Sequence, residues 1–132
     1  MNPNNPEIIK LKKIIEENQI TNFPENGEEI VVLRENTLPT SYSIQVGIGK
    51  CWKYTNYYDC VGYVYSEIEN RFTNGNIRVE KKLPRNTKVL CTVLKPGLYE
   101  KIDKAAIGFS DEKWTGSLND FINYLENWIK IK

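Results

Sequence analysis

The first apolar residues of the chain recur at helical spacing. Positions three and four apart are apolar, while lysines and glutamates occupy the positions between them, a pattern typical of an amphipathic helix with one buried face. The apolar positions are Ile8, Leu11, Ile14 and Ile15. Asn5 followed by Pro6 has the order of an N-cap and a first helical residue. The pattern predicts a helix over residues 6–18, followed by a loop at residues 22–29.

The middle of the chain changes to the two-residue period of β-strands. From residue 43 to residue 48, apolar residues at even positions alternate with polar or small residues at odd positions, as expected for a sheet with one covered face. β-Branched and aromatic residues are concentrated in five runs separated by turn-forming residues. The runs are residues 29–34, 42–49, 59–67, 76–83 and 87–94. They predict four or five strands.

Two connectors between the later strands contain turn-forming residues. Asn74-Gly75 is a strong short-range hairpin signal and predicts a turn at residues 73–76. Residues 66–72, which precede it, could alternatively form a helical turn. Residues 83–86, with the sequence Leu-Pro-Arg-Asn, form the second connector.

Helical spacing returns after Pro96-Gly97 and predicts a short helix that ends near Gly108. A second helix begins near Ser117, whose spacing to Asp120 resembles a capping box. Its apolar stripe consists of Leu118, Phe121, Ile122, Leu125 and Ile129. The element order predicts an α+β fold, in which an antiparallel sheet of four to five strands is packed by the N-terminal helix and by one or two C-terminal helices.

Length and charge limit the classes of protein to which the chain can belong. Its 132 residues, 40% of them hydrophobic, suit one domain with a single core. Eighteen basic and 17 acidic residues leave a formal charge of +1, so a nucleic-acid partner is not expected. The chain shows neither a signal peptide nor a run of about 18 apolar residues that could span a membrane. We therefore expect a cytoplasmic, single-domain protein with no membrane association.

Histidine is absent from the chain, which removes the usual general base, the usual metal ligand and the central residue of Ser/His/Asp and Cys/His nucleophilic sites. Cys51, Cys60 and Cys91 are odd in number and form no C-x-x-C pair, which argues against a disulfide scaffold and a zinc site. We expect reduced cysteines that act as small hydrophobic residues of strands. No metal, cofactor or catalytic constellation is predicted, and an enzymatic activity is not indicated.

Aromatic residues are the densest candidate feature. Trp52 and Tyr54 lie in a predicted turn, and Tyr63 and Tyr65 follow in the next predicted strand. Aromatic rings with polar groups suit a ligand cleft or a protein interface, because they bury a large area and keep a hydrogen-bonding group. The alternative is that Tyr63 and Tyr65, together with Val61, form one ordinary face of a strand.

Charged residues offer weaker candidates. Glu67 and four other carboxylates lie near predicted element ends, where a buried glutamate beside aromatic rings could act as an acid or hold a cationic ligand; solvated side chains are the simpler interpretation. The other four are Glu69, Glu80, Glu100 and Asp103. A basic cluster could favour nucleic acid, although lysines at a hairpin more often protect a sheet edge. This cluster consists of Lys81, Lys82, Arg85 and Lys88.

The segment from Leu83-Pro84 to Ile102, followed by residues 118–128, resembles the second half of a GyrI-like small-molecule-binding domain. Lys95-Pro96-Gly97-Leu98-Tyr99 takes the place of the turn of that family, with the proline before the glycine. The resemblance implies a twisted antiparallel sheet backed by helices, with a cleft that accepts aromatic or cationic compounds. Of the residues of the family motif, only Tyr99 is transferred to this chain as a site residue.

Two functions are therefore predicted. The first is a non-catalytic binding module that takes a small aromatic or cationic molecule in a cleft between the sheet and the C-terminal helices. The second is a small cytosolic protein that binds and neutralises another protein, as immunity and anti-defence inhibitors do. The predicted site residues are Trp52, Tyr54, Tyr63, Tyr65, Glu67, Tyr99 and Trp114. A concave cavity lined by Trp52, Tyr65 and Trp114 would favour the small ligand, whereas an exposed aromatic patch on a convex surface would favour the protein partner.

Overall fold

The computed structural model of the protein describes residues 3–20, 22–107 and 117–129. This described part contains three helices and one antiparallel sheet of five strands in the order β4-β3-β2-β1-β5. The helices are α1 (Pro6–Glu17), α2 (Leu98–Ile107) and α3 (Leu118–Trp128), and the strands are β1 (Glu29–Leu38), β2 (Ser41–Lys53), β3 (Tyr57–Ser66), β4 (Arg71–Glu80) and β5 (Thr87–Val93). The predicted α+β fold is confirmed, with all five of the expected strands.

Helix α1 begins and packs as the sequence predicts. The Asn5 side chain accepts a hydrogen bond from the Glu7 amide at 2.9 Å, which satisfies one of the unpaired amides of the first turn. The apolar stripe of the helix is buried, and Lys12 on its flank lies 2.9 Å from Glu35 of β1. Helix α1 therefore lies over the β1 side of the sheet.

Helices α2 and α3 cover the same face of the sheet as α1, but they pack over β3 and β4. The Tyr99 ring of α2 lies 6.0 Å from the Tyr63 ring of β3, and the Phe121 ring of α3 lies 4.9 Å from the Phe72 ring of β4. Side chains of all three helices and of the inward-facing strand positions join in one buried cluster. We call this side of the sheet the helical face.

Both ends of α3 are held by hydrogen bonds. The Ser117 hydroxyl accepts from the Asp120 amide at 3.1 Å, which confirms the predicted cap. At the other end, the Lys95 amide donates to the Trp128 carbonyl. The C-terminal end of the helix is thereby tied to the segment that follows β5.

The opposite face of the sheet is covered by the α1–β1 connection. Ile20 and residues 22–28, which we call the strap, cross this face: the Ile20 amide donates to the Cys91 carbonyl of β5 at 3.0 Å, and the Gly27 amide donates to the Cys51 carbonyl of β2 at 2.7 Å. The Phe23 ring packs edge-on against the Tyr58 ring of β3, at 4.7 Å between centroids. We call this side of the sheet the strap face, and its buried side chains form a second, smaller hydrophobic core.

The sheet is strongly curved around the strap face. Tyr58 of β3 and Cys91 of β5 belong to one buried cluster and line the same cavity, although β2 and β1 lie between these strands and a flat sheet would separate them by about 14 Å. Arg34 of β1 likewise donates to the backbone carbonyl of Arg78 in β4 at 3.0 Å. These contacts across the sheet make the strap face concave and the helical face convex.

One predicted turn is wrong. Asn74-Gly75 lies inside β4, where Gly75 pairs with Gly62 of β3, and the turn between β3 and β4 occurs at residues 67–70 instead. Asn70, the last residue of this turn, has a positive φ of 52°. A Cβ atom at position 75 would lie 3.0 Å from the Val64 side chain, so this glycine permits close packing on the strap face.

The cysteine prediction is confirmed. Cys51, Cys60 and Cys91 are free and buried, and all three lie in strands on the strap face. They serve there as small hydrophobic residues beneath the strap.

Candidate functional site

The predicted site residues fall into three separate parts of the fold. Trp52 lies near the end of β2, and not in a turn as predicted, while Tyr54 directly follows that strand. Tyr63 and Tyr99 lie where α2 meets β3. Tyr65 and Glu67 lie at the far end of β3. Trp114 is outside the described residues.

Tyr63 and Tyr99 join α2 to the sheet. The side chain of Tyr63 is 6% exposed, and its hydroxyl donates a hydrogen bond to the Asp103 carboxylate of α2. Burial, followed by this hydrogen bond, raises the pKa of Tyr63 to about 12. The phenol therefore stays protonated and keeps donating at physiological pH. This arrangement holds α2 against the sheet. Tyr63 thus has the structural role of a buried residue on one face of a strand, which is the alternative to a binding role.

Tyr65 is distant from Trp52. Trp52 pairs across β2 and β3 with Asp59, six residues before Tyr65 along β3, which corresponds to about 20 Å. The Tyr65 hydroxyl donates to the Asn70 side chain at 2.7 Å, in the turn that follows β3. The structure therefore does not bring Trp52 and Tyr65 together around one cleft.

Trp52 instead belongs to an exposed part of the helical face, next to the part that α2 covers. Strand register places three rows of side chains there, on β2 and the residue that follows it, on β3 and on β4. The rows are Lys50, Val61 and Asn76; then Trp52, Asp59 and Arg78; then Tyr54, Tyr57 and Glu80. We call these nine residues the aromatic face.

Three large apolar side chains of the aromatic face are solvent-exposed. Trp52 is 45% exposed, Val61 is 43% exposed and Tyr54 is 51% exposed. Scattered single hydrophobic residues are normal on protein surfaces, but these three are neighbours on a convex sheet. Contiguous apolar patches of this kind mark interaction sites.

Stacking fixes the position of the polar and aromatic groups around them. The Tyr54 and Tyr57 rings are stacked, with centroids 4.6 Å apart and planes 14° apart. The Arg78 guanidinium lies 4.1 Å from the Tyr57 ring centroid, within cation–π range. Because stacking already holds these side chains in place, binding a partner would cost little further side-chain entropy.

Two cations and two carboxylates complete the aromatic face. Asp59 lies beneath Arg78, with 3.9 Å between its Oδ1 atom and the Arg78 Nε atom. This oxygen is buried and makes no hydrogen bond in the described part of the chain, so its charge is balanced by Arg78 alone at longer range. Lys50 lies 5.8 Å from the Tyr99 ring centroid and makes no ion pair with any described residue. Glu80 is the second carboxylate and is exposed.

Sequence reasoning missed Lys50, Tyr57, Val61 and Arg78 as members of this surface. Their alternation along β2, β3 and β4 is the available signal, because it assigns them to the same face as Trp52 once the register is known. The register itself depends on the two hairpins, and one of their turns is misplaced by the Asn74-Gly75 signal. The surface could therefore not be assembled from the sequence.

The remaining charged candidates do not converge. Glu69 pairs with Arg71 at 3.2 Å in the turn between β3 and β4. In the basic cluster, Lys81 lies 5.6 Å from the Phe23 ring of the strap, whereas Lys88 pairs with Glu16 of α1 at 3.0 Å. No group of three cysteine, aspartate or glutamate side chains within the described ranges is placed to hold a metal ion.

Comparison with known proteins gives no relative: no family model matches the chain, and neither the curated proteins nor the solved structures contain a significant match. The GyrI-like resemblance therefore stays a prediction. Within the described residues, no helix is long and apolar enough to cross a membrane.

Proposed function

We propose that the protein is a non-catalytic binding module that captures another protein through the aromatic face. The observation that supports this function best is the exposed cluster of Trp52, Tyr54 and Val61 on a convex surface. Tryptophan, tyrosine and arginine are the residues that most often dominate protein–protein binding energy. All three types occur in the aromatic face, which also includes Arg78 and Tyr57.

A small ligand between the sheet and the C-terminal helices has less support. Leu98 and Ile102 of α2 and Phe121 of α3 are fully buried against the sheet. Their side chains fill the interface that the predicted cleft would need, since protein interiors are close-packed. This interface serves as the core of the domain.

Charge complementarity favours a partner with an acidic group beside an apolar one. Asp59 balances Arg78, while Lys50 stands next to Val61 without an ion pair among the described residues. A partner carboxylate placed near Lys50 would gain a charge-assisted contact as its apolar neighbours cover Trp52 and Val61.

The experiment is native mass spectrometry of the protein purified from its own cells, with wild type, Trp52→Ala and Lys50→Glu compared. Ile68→Ala is the matched control, because Ile68 is a large apolar residue, 98% exposed, in the turn at the far end of β3. We expect a stoichiometric protein partner with wild type and with I68A, and its loss with W52A and K50E. Thermal unfolding of each variant shows whether the fold is retained.

Other outcomes would overturn the proposal. A partner that stays bound to both W52A and K50E would place the interface elsewhere. A bound small molecule in place of a protein would support the ligand-binding function. Capture that is lost on nuclease treatment would identify the rings and cations as a nucleic-acid stacking surface. If W52A unfolds, the loss of partner from folded K50E decides the question.

A further inference from the structure

The edge strand β4 offers backbone hydrogen-bonding groups directly beside the aromatic face. β4 is the first strand in the order of the described sheet, where it pairs with β3 on one side. It is ten residues long, about twice the usual length of a strand, and it contains no proline. Unpaired amides and carbonyls along such an edge form a template on which another strand can pair.

The hydrogen bonds at the end of β4 show which of its backbone groups point outward. The Lys81 amide donates to the Asn56 carbonyl at 3.0 Å, so these two residues form a hydrogen-bonded pair. Such pairs alternate with non-hydrogen-bonded pairs along an antiparallel ladder. In the register of β3 and β4, every second residue from 74 to 80 therefore directs its amide and carbonyl away from β3. We call these groups the outer edge, and they belong to Asn74, Asn76, Arg78 and Glu80.

The outer edge is accessible. All of its residues are exposed, and no described residue hydrogen-bonds the backbone groups of Asn74, Asn76 or Glu80. The opposite edge of the sheet differs, because the Ile20 amide of the strap donates to the Cys91 carbonyl of β5 at 3.0 Å. The strap thus occupies a backbone group of the β5 edge, whereas these groups of β4 stay available for a partner.

Residues 72–77 are the part of β4 best suited to pair with an added strand. Charged side chains commonly protect sheet edges, and this segment contains none. The next outward carbonyl, that of Arg78, already accepts a hydrogen bond from Arg34 of β1 at 3.0 Å. That guanidinium takes the place of an amide from an added strand. Strand pairing is therefore expected at Asn74 and Asn76, before the position that Arg34 occupies.

The outer edge lies within reach of a partner on the aromatic face. Asn76 belongs to both, since it ends the row that begins with Lys50 and Val61. An added strand would lie beside β4, two strand spacings or about 10 Å from β3. A standard interface covers about 800 Å² on each partner, which corresponds to a radius of about 16 Å. A partner centred on Trp52 and Val61 therefore extends to the outer edge.

We propose that the protein partner of the aromatic face contributes an extended segment, which pairs with Asn74 and Asn76 of β4 as a sixth strand of the sheet. In this mode of recognition, main-chain hydrogen bonds supply affinity and the neighbouring side chains supply specificity. The inference rests on the proposed function, because it assigns the outer edge to the same partner.

The test is amide hydrogen exchange, followed by NMR, of the free protein and of the complex purified from its own cells. We expect the Asn74 and Asn76 amides to exchange rapidly in the free protein. In the complex they should exchange slower by about tenfold or more, because amides paired within a sheet exchange only when the structure opens. The Gly75 amide points towards β3 and is the internal control, which should be slow in both samples.

Asn76→Pro tests the pairing by removing one outward amide. Proline is tolerated in edge strands where the amide faces solvent, so the ladder between β3 and β4 should persist. We expect N76P to weaken binding of the purified partner by about five- to one-hundredfold. Val89→Pro is the matched control on the β5 edge: the Leu94 amide donates to the Glu29 carbonyl at 2.7 Å, and by the same alternation the Val89 amide points away from β1. Folded V89P should retain the partner.

Each contrary outcome has a distinct meaning. A partner that requires Trp52 but leaves the Asn74 and Asn76 amides as fast as in the free protein would overturn strand pairing and leave the proposed function intact. Recovery of the protein without a protein partner would overturn both. Protection of these amides that rises with the concentration of the free protein would assign the outer edge to a second copy of this chain. If N76P unfolds, exchange in the wild-type complex decides the question.

Discussion

Cys51 and Cys60 face each other across β2 and β3 as a non-hydrogen-bonded pair. The backbone groups of Cys51 are engaged on the opposite side of β2: its amide donates to the Glu28 carbonyl at 2.9 Å, and its carbonyl accepts from the Gly27 amide at 2.7 Å. Side chains approach most closely at pairs of this type, and both thiols are nevertheless free. The strap covers them, so their proximity does not make them accessible.

The first prediction concerns thiol reactivity. Burial raises the pKa of Cys51 to about 11 and that of Cys60 well above its usual value, and only the thiolate is nucleophilic. We expect a chromogenic disulfide reagent at mildly alkaline pH to label no thiol of the native protein during the time in which it labels all three in denaturant. Rapid labelling of any native cysteine would show that the strap opens readily.

The second prediction concerns Glu35, which is buried and receives two charge-assisted hydrogen bonds. The Tyr42 hydroxyl donates to it at 2.7 Å and the Lys12 ammonium at 2.9 Å. Burial alone would raise the pKa of Glu35, but these donors outweigh it and hold the pKa below its usual value. Glu35→Gln should therefore lower the free energy of unfolding at neutral pH by about 1–3 kcal/mol.

The pH dependence of this loss follows from the lowered pKa. The contribution of a carboxylate with a depressed folded pKa is present above its unfolded pKa, near 4.5, and is lost as pH falls through the folded pKa. Urea unfolding of E35Q and wild type should thus converge in acid. Glu69→Gln is the control, because Glu69 forms an exposed pair worth about 0–1 kcal/mol. A gap that persists in acid would assign the effect to packing.

The sequence predicts the elements of this fold well, because each element carries its own period. The stripe of α1 and the caps at Asn5 and Ser117 are local signals, and the structure confirms them. The turn predicted at Asn74-Gly75 is wrong because of tertiary packing. The close approach of Val64 requires a small residue at position 75, and a glycine required for packing looks the same in the sequence as a glycine required for a turn.

The candidate site is less predictable, because exposure depends on which part of a face is covered. Trp52 and Tyr63 are both aromatic residues on the same face of the sheet, and the sequence pattern does not distinguish a buried residue from an exposed one there. Tyr99 of α2 packs against Tyr63, which is 6% exposed, whereas Trp52 is 45% exposed; this difference depends on where the helix packs on the sheet. The aromatic residues were therefore identified, but their division between core and surface could not be.

The third prediction compares two glycines with positive φ. Gly27 has φ of 83° with no atom within 4 Å of an added Cβ, whereas Gly97 has φ of 117° and an added Cβ would lie 2.6 Å from the Trp128 ring. Gly27→Ala should cost only the backbone strain, about 1–3 kcal/mol. Gly97→Ala should cost more, because it also displaces Trp128, and denaturant unfolding measures both. Equal losses would show that the ring moves aside freely.

The fourth prediction concerns the hydrogen bond between Tyr63 and Asp103, which ties α2 to β3. Tyr63→Phe should reduce the free energy of unfolding by about 0.5–1.5 kcal/mol and increase hydrogen exchange of the α2 amides. Because the folded pKa of Tyr63 is raised to about 12 from its usual 10.0, this contribution is fully present below pH 10.0 and is lost as pH rises through the folded pKa. The gap between wild type and Y63F, followed by urea unfolding, should therefore narrow in strong alkali. Tyr54→Phe is the matched control, since it removes a hydroxyl from an exposed tyrosine whose ring stacks on Tyr57 of β3. An α2 exchange rate that is unchanged in Y63F would contradict the role of this bond in holding the helix.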